Sequence, residues 1–245
     1  MFKAKIDATL LKDSIGALLV LVKEARFKTS SDGIQVNAVD PANIAMVSLD
    51  LTKDAFNKYE AENHEIGINL TRLQEILGMA DRNSEIYMEL DEDTQKLLIS
   101  FGGFSYVLSL LDPSSIRSEP KIPQLDLPAI VVINGTDFEK TVKAAKMISD
   151  HVLLGVEDNL FYMEAKGDTD KVRHEMTKDK LIKIVPEDAR SLFALEYLSD
   201  IAKPAAKSNE VTLYLGMDLP IKINFEIAQE NGSIKYLLAP RVDMD

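Results

Sequence analysis

The chain carries one pattern twice. Tyr106-Val107-Leu108-Ser109-Leu110-Leu111-Asp112-Pro113 returns as Ile234-Lys235-Tyr236-Leu237-Leu238-Ala239-Pro240, its Leu-Leu-x-Pro core displaced by 127 positions. The same displacement aligns Ile6, Thr9, Leu11, Ile15, Ile34, Val36 and Ala38 with Ile133, Thr136, Phe138, Val142, Phe161, Met163 and Ala165. After a slip of two residues, Ile68, Leu70, Leu73, Ile76, Ile86, Met88 and Leu90 align with Phe193, Leu195, Leu198, Ile201, Val211, Leu213 and Leu215. Apolar positions that match across a whole half-chain predict two copies of one fold, each of ordinary domain size.

Each copy opens with a strand and a helix. Phe2, Ala4 and Ile6 alternate with Lys3, Lys5 and Asp7 as in a half-buried strand, and Leu11, Ile15, Leu18 and Val22 then take helical spacing. Thr9 reads as the N-cap of that helix, and Thr136-Asp137-Phe138-Glu139 reads as a capping box opening its counterpart. Short alternating runs follow at 33–38, 44–51 and 65–68, matched by 160–165, 172–177 and 181–185, with a shorter helix after Thr71 and another from Leu195 to near Pro204. The expected class is α+β: two helices packed on antiparallel sheet, present in tandem. Domains are expected at 1–113 and 129–245. Between them, 114–128 holds three of the four prolines clustered at 113, 120, 123 and 128, so it predicts an extended, stiff connector. Its Ile116, Ile122, Leu125 and Leu127 either pin it to its own protein or line a groove for another.

No catalytic constellation is visible. The chain has no cysteine, which excludes disulfides and thiolate metal sites. His64, His151 and His174 lack metal-ligand or triad spacing, and no phosphate-binding glycine loop or nucleophile elbow occurs. Asp91-Glu92-Asp93 reads as a solvated hairpin turn. Glu164, Asp168 and Asp170 lack the further ligands of a calcium loop. No enzyme activity, cofactor or metal is expected, and no apolar run approaches the roughly 18 residues of a membrane span.

Charge is the remaining signal. The chain has 40 acidic and 28 basic residues, a net −12, which argues against casual nucleic-acid binding. The expected helical segments 9–23, 71–82, 136–149 and 195–207 together carry +2, leaving −14 elsewhere. Lys140, Lys143 and Lys146 rise along one side of their helix, and Lys203 and Lys207 are four apart. Such stripes usually mark a solvated face, but four equivalent helices all spared the acidic excess point to a shared face toward an anion.

The segments Ala38-Val39-Asp40-Pro41-Ala42-Asn43, Gly67-Ile68-Asn69-Leu70, Leu111-Asp112-Pro113-Ser114-Ser115-Ile116-Arg117 and Tyr236-Leu237-Leu238-Ala239-Pro240-Arg241 occur in order and at family spacing. With them the chain resembles, end to end, sliding clamps of the proliferating cell nuclear antigen type, especially archaeal ones. The resemblance implies a closed ring of three subunits, helices lining its hole, that encircles duplex DNA without reading sequence and tethers polymerase, clamp loader, ligase and nuclease through client peptides. It implies no chemistry and no membrane partner, and a cytoplasmic place at the nucleoid. The alternatives are one subunit of a heterotrimeric clamp, or a ligand-binding or enzymatic protein of duplicated α+β domains.

Residue by residue, the resemblance places Lys12, Arg72, Arg82, Lys140, Lys143, Lys146, Lys203 and Lys207 toward DNA. Glu75, Gly78 and Glu196 depart from the basic residues frequent there. It places Val39, Ile44, Met46, Pro220, Leu237, Ala239 and Pro240, with Ile122, Leu125 and Leu127, in a peptide groove. Phe104, Tyr106 and Leu108 would meet Val172, His174 and Met176 of the next subunit.

Overall fold

The computed structural model describes residues 1–118, 121 and 124–241. The expected Ile122 therefore lies outside the described residues. The chain forms two compact units, Met1–Pro120 with Glu226–Ile234, and Lys121–Phe225 with Lys235–Asp245.

In the first unit the elements are β1 (Phe2–Asp7), α1 (Ala8–Leu19), β2 (Glu24–Ser30), β3 (Gly33–Val39), β4 (Ala45–Thr52), β5 (Lys58–Ala61), β6 (His64–Asn69), α2 (Leu70–Gly78), β7 (Glu85–Asp91), β8 (Lys96–Phe101) and β9 (Phe104–Ser109). One antiparallel sheet runs β5-β1-β7-β8-β9, and a second run pairs β4-β3-β2-β6. Asn231, on the part of a later hairpin that belongs to this unit, accepts from Thr52 N and Thr52 Oγ1 at 2.9 and 3.0 Å.

The second half of the chain repeats this order: β10 (Ala129–Ile133), α3 (Gly135–Lys146), β11 (His151–Glu157), β12 (Leu160–Lys166), β13 (Lys171–Met176), β14 (Lys183–Val185), β15 (Ala189–Ala194), α4 (Leu195–Ala205), β16 (Val211–Leu215), β17 (Ile221–Ile227) and β18 (Gly232–Leu238). Its pairings repeat too. β10 lies between β14 and β16 as β1 lies between β5 and β7, and β13-β12-β11-β15 reproduces β4-β3-β2-β6. The repeat seen as a spacing of apolar residues is thus a repeat of hydrogen-bond topology.

Helices pack in pairs, α1 with α2 and α3 with α4. Leu11, Ile15 and Leu18 of α1, and Phe138, Val142 and Ala145 of α3, form the buried stripes expected from their spacing. Deeply buried Ile6, Leu70, Leu73, Leu77 and Ile86 fill the first core, and Phe138, Phe161 and Phe193 the second. Among the described residues no helix is long and apolar enough to cross a membrane.

The helix starts differ from the sequence expectation. Asp7, not Thr9, caps α1, its Oδ1 accepting from Thr9 N and Leu10 N at 2.8 and 3.0 Å. Asn134, not Thr136, caps α3, accepting from Thr136 N at 3.0 Å and from its hydroxyl at 2.7 Å. Glu139 closes no capping box and pairs instead with Lys143 at 2.8 Å. Asn69 caps α2 through Arg72 N at 2.9 Å. The cause is common to all three. A strand runs straight into a helix, so the residue at the pivot is the one whose side chain reaches the first free N–H groups.

Candidate functional site

The residues singled out by sequence fall into three sets. The first is the solvent side of the helices. Within the observed limits, α1 and α2 are each neutral, α3 is +1 and α4 is −1, so the helices sum to zero in a chain of −12. The +2 expected from longer segments came from Lys23 and Lys207, which lie beyond the helix ends. Arg72 pairs with Glu75 at 2.7 Å, Lys143 with Glu139 at 2.8 Å and Lys203 with Asp200 at 2.7 Å. Lys12 is half-buried and donates to the Ala80 carbonyl at 2.6 Å. Arg82, Lys140, Lys146 and Lys207 are exposed. Exposed pairs of this kind are worth about 0.2–1 kcal/mol, so a phosphate can displace them cheaply. On each unit the helix pair is electrically mild, neither acidic nor strongly basic.

The second set is apolar and has members on each unit. In the first unit Val39 and Met46 are register partners at the end of the β3–β4 pair, both half-buried, and Ile44 beside them is 39% exposed. The intervening turn is tightly built. Asp40 is 3% exposed, and its carboxylate accepts from Ala42 N, Ile44 N and Ala45 N at 3.0, 2.7 and 2.8 Å. In the second unit Leu125, Leu127, Pro220, Leu237, Ala239 and Pro240 are each half-buried. Buried Ser191 fixes the turn before Pro220, donating to the Gly216 carbonyl and accepting from Leu219 N, both at 3.1 Å. Half-burial of so many aliphatic groups leaves apolar area available for an anchor to cover.

The third set lies on a pair of sheet ends. β9 terminates the first unit's sheet and β13 terminates the β13-β12-β11-β15 sheet. On β9, Phe104 is 52% and Val107 57% exposed, while Tyr106 stacks on Phe101 at 5.6 Å. Leu108 turns inward and is buried, as is Met176 on β13. Burial removes these two from the surface, and Phe104 and Val107, which alternation sets on opposite faces of the strand, are the apolar groups that β9 exposes. Val172 is half-buried and His174 exposed, its Nδ1 2.9 Å from Thr141 Oγ1.

The carboxylates considered for a cation behave differently from one another. Glu164 is taken up by basic groups: Lys171 at 2.9 Å, Lys166 at 3.1 Å and Arg173 at 3.3 Å. Lys171 above all, with Lys166 and Arg173, holds its carboxyl down at about 2 against the opposing effect of burial. It is an ion-pair node, not an open ligand. Asp91 accepts from Asp93 N and Thr94 N in the expected hairpin turn.

A cluster that spacing did not reveal lies at the start of β1. Glu62, His64 and Glu92 bring ligand-type atoms within 4.8 Å of one another. The amino-terminal nitrogen of Met1 sits among them, 2.9 Å from Glu62, 2.7 Å from His64 Nε2 and 2.5 Å from Glu92. Glu92, then Glu62, raise the ammonium pKa, and the ammonium lowers that of Glu92.

Two family models match the chain, the N-terminal domain of proliferating cell nuclear antigen over residues 1–104 and its C-terminal domain over 121–241. The chain belongs to the proliferating cell nuclear antigen family. Among its relatives, the DNA polymerase sliding clamp of Methanococcoides burtonii is 62% identical and that of Methanosarcina barkeri 58%, each covering both chains completely. A solved complex of the C-terminal region of FEN-1 with A. fulgidus PCNA superposes with a TM-score of 0.95 at 35% identity over all of both chains. PCNA from Thermococcus kodakaraensis superposes at 0.91 with 26% identity, over 98% of this chain and all of that one.

In this member of the proliferating cell nuclear antigen family, Asp40 and Arg117 take structural roles that no spacing in the sequence singles out. In the sequence both stand only as members of longer motifs. The Asp-Pro-x-Asn turn is a recognisable signal for a side chain capping its own loop, whereas nothing in the spacing pointed to Arg117.

Proposed function

We propose that the chain is a non-catalytic DNA sliding clamp, a processivity factor, three copies of which close head to tail around duplex DNA. The full-length identity of 62% to an archaeal DNA polymerase sliding clamp carries this reading. β9 of one copy pairs with β13 of the next, which removes two sheet ends that would otherwise invite aggregation. Phe104, Tyr106 and Val107 lie on one side of that seam, with Val172 and His174 on the other. Lys12, Arg72, Arg82, Lys140, Lys143, Lys146, Lys203 and Lys207 face the duplex and attract phosphate without reading bases.

The first-unit set Val39, Ile44 and Met46 receives apolar anchors of client peptides. So does the second-unit set Leu125, Leu127, Pro220, Leu237, Ala239 and Pro240, with Ile122 from the connector. DNA polymerase, clamp loader, ligase and nuclease are the clients in view. The complex of A. fulgidus PCNA with the C-terminal region of FEN-1 supports this part of the reading.

Solution mass is the decisive experiment. A homotrimer weighs about 82 kDa, three times 27.3 kDa, and a species that stays monomeric at micromolar concentration overturns the homotrimer. For the docking face, Pro240→Asp weakens binding of a peptide copied from the C-terminal region of FEN-1 and leaves the trimer intact.

A further inference from the structure

We propose that Arg117 is a positioning residue for client docking: its guanidinium locks the Asp40–Asn43 turn in the shape that presents Ile44. The inference rests on the docking reading of the Val39, Ile44 and Met46 face.

The turn has an inner and an outer set of polar groups. The inner set is satisfied from within. The Asp40 carboxylate takes three backbone N–H groups, Asp40 N donates to the Ala45 carbonyl at 3.0 Å, and Asn43 N donates to the Asp40 carbonyl at 3.1 Å. Asn43 stands at φ +59°, a left-handed conformation that asparagine tolerates better than most residues. The outer set needs a partner from elsewhere. Arg117 Nη1 donates to the Asp40 and Pro41 carbonyls at 2.9 and 3.1 Å, and Nη2 donates to Asn43 Oδ1. A planar fork of N–H groups reaches three acceptors at once, which an ammonium cannot do with the same geometry.

The clamp also has a fixed base. Ile116 beside Arg117 is buried, and its carbonyl accepts from Arg26 Nη2. Just before it, Pro113–Ser115 forms a short 3-10 turn capped by Asp112, whose Oδ1 accepts from Ser114 N at 2.8 Å. Leu111 N donates to the Gly67 carbonyl at 2.9 Å. Arg117 therefore reaches the turn from a segment anchored to β6. Two anchored pieces of chain hold a four-residue turn between them, and the residue that follows, Ile44, keeps an exposed apolar side chain in one place. An anchor held in its bound shape spares a ligand the ordering cost of fixing it. Arg117 itself need not touch the peptide.

The test uses the full-length protein and the FEN-1 C-terminal peptide, with affinity from fluorescence anisotropy and amide hydrogen exchange read at Ala42, Ile44 and Ala45. Arg117→Ala should weaken the peptide about tenfold and speed exchange at those three amides, with solution mass unchanged. Arg117→Lys keeps the charge and should recover little of the affinity. Asn43→Gly keeps the left-handed backbone, removes one acceptor and should weaken binding less. Combined with Arg117→Ala it should add nothing beyond the single change. Ile44→Asp is the control for the docking face. If Ile44→Asp abolishes binding while Arg117→Ala binds as wild type, the positioning role falls and the docking face stands. Wild-type affinity in Arg117→Lys overturns it in favour of simple charge. If Ile44→Asp also binds as wild type, the docking reading falls and takes this inference with it.

Discussion

Thr141 on α3 accepts a hydrogen bond from His174 on β13. Thr141 Oγ1 has one proton and directs it to the Asp137 carbonyl at 2.9 Å, so the 2.9 Å contact with His174 Nδ1 uses an oxygen lone pair and an Nδ1–H. The helix thereby steadies an exposed side chain on a terminal strand. Thr141→Val keeps the shape and removes the acceptor. A neutral hydrogen bond nets about 0.5–1.5 kcal/mol, so if β13 forms the ring seam, trimer dissociation should increase by a few-fold up to about tenfold. Mass photometry across a dilution series reads this directly, and an unchanged dissociation curve would separate His174 from the seam.

Gly67 has no room for a side chain. A Cβ there would lie 2.4 Å from the Leu111 carbonyl oxygen and 3.0 Å from Ile116 Cδ1. The clash is with backbone at an isolated bridge, Gly67 to Leu111, so it cannot be relieved by a rotamer change. Gly67→Ala should cost about 1–3 kcal/mol. Thermal unfolding should register it as a fall of about 2–4 °C for each kcal/mol in a chain of this size. An unchanged midpoint would mean that the bridge yields without penalty.

Glu164 makes stability depend on acid. Its carboxyl titrates at about 2 in the folded chain, against an ordinary value of 4.5. Because the folded value is the lower, the unfolded chain binds the extra proton first. The contribution is fully present above about pH 4.5 and is lost as pH falls through about 2. Glu164→Gln should unfold at lower temperature than wild type at pH 7. The gap should narrow steadily between pH 4.5 and 2. A gap independent of pH would show that the three basic neighbours act through packing and not through the carboxylate charge.

Much of the architecture was legible because period-2 and helical spacings survive in both copies. Phe2, Ala4 and Ile6 are buried as their alternation requires, and so are Phe138 and Val142 on α3. The strand at Glu24–Ser30 is not legible in the sequence. Its inward residues are Ala25, Phe27 and Thr29, of which only Phe27 is strongly apolar, so its alternation is faint. The caps are hidden because a threonine inside the first turn looks like an N-cap when the preceding strand leaves no turn to mark the boundary. The candidate site was legible as surfaces and illegible as contacts. Arg117 lies 77 positions from Asp40, and His64 28 positions from Glu92. No local spacing encodes such pairs; only the sheet topology brings them together.

The lysines of α3 offer the sharpest test of the helix face. Lys140 and Lys146 are exposed, and Lys143 spends its charge on Glu139. Replacing all three by alanine changes α3 from +1 to −2 and leaves Glu139 without its partner. If these groups neutralise phosphate, each lost contact should flatten the dependence of log affinity on log salt by about 0.9. DNA-dependent loading and polymerase stimulation should then fall at moderate salt, while a ring already closed around a circular duplex should be retained, because encirclement does not depend on charge. The measurement is a salt titration of loading and retention for wild type and variant side by side. Equal loading across the whole titration would remove α3 from the DNA-facing surface, whereas equal loss of loading and retention would point to a damaged ring.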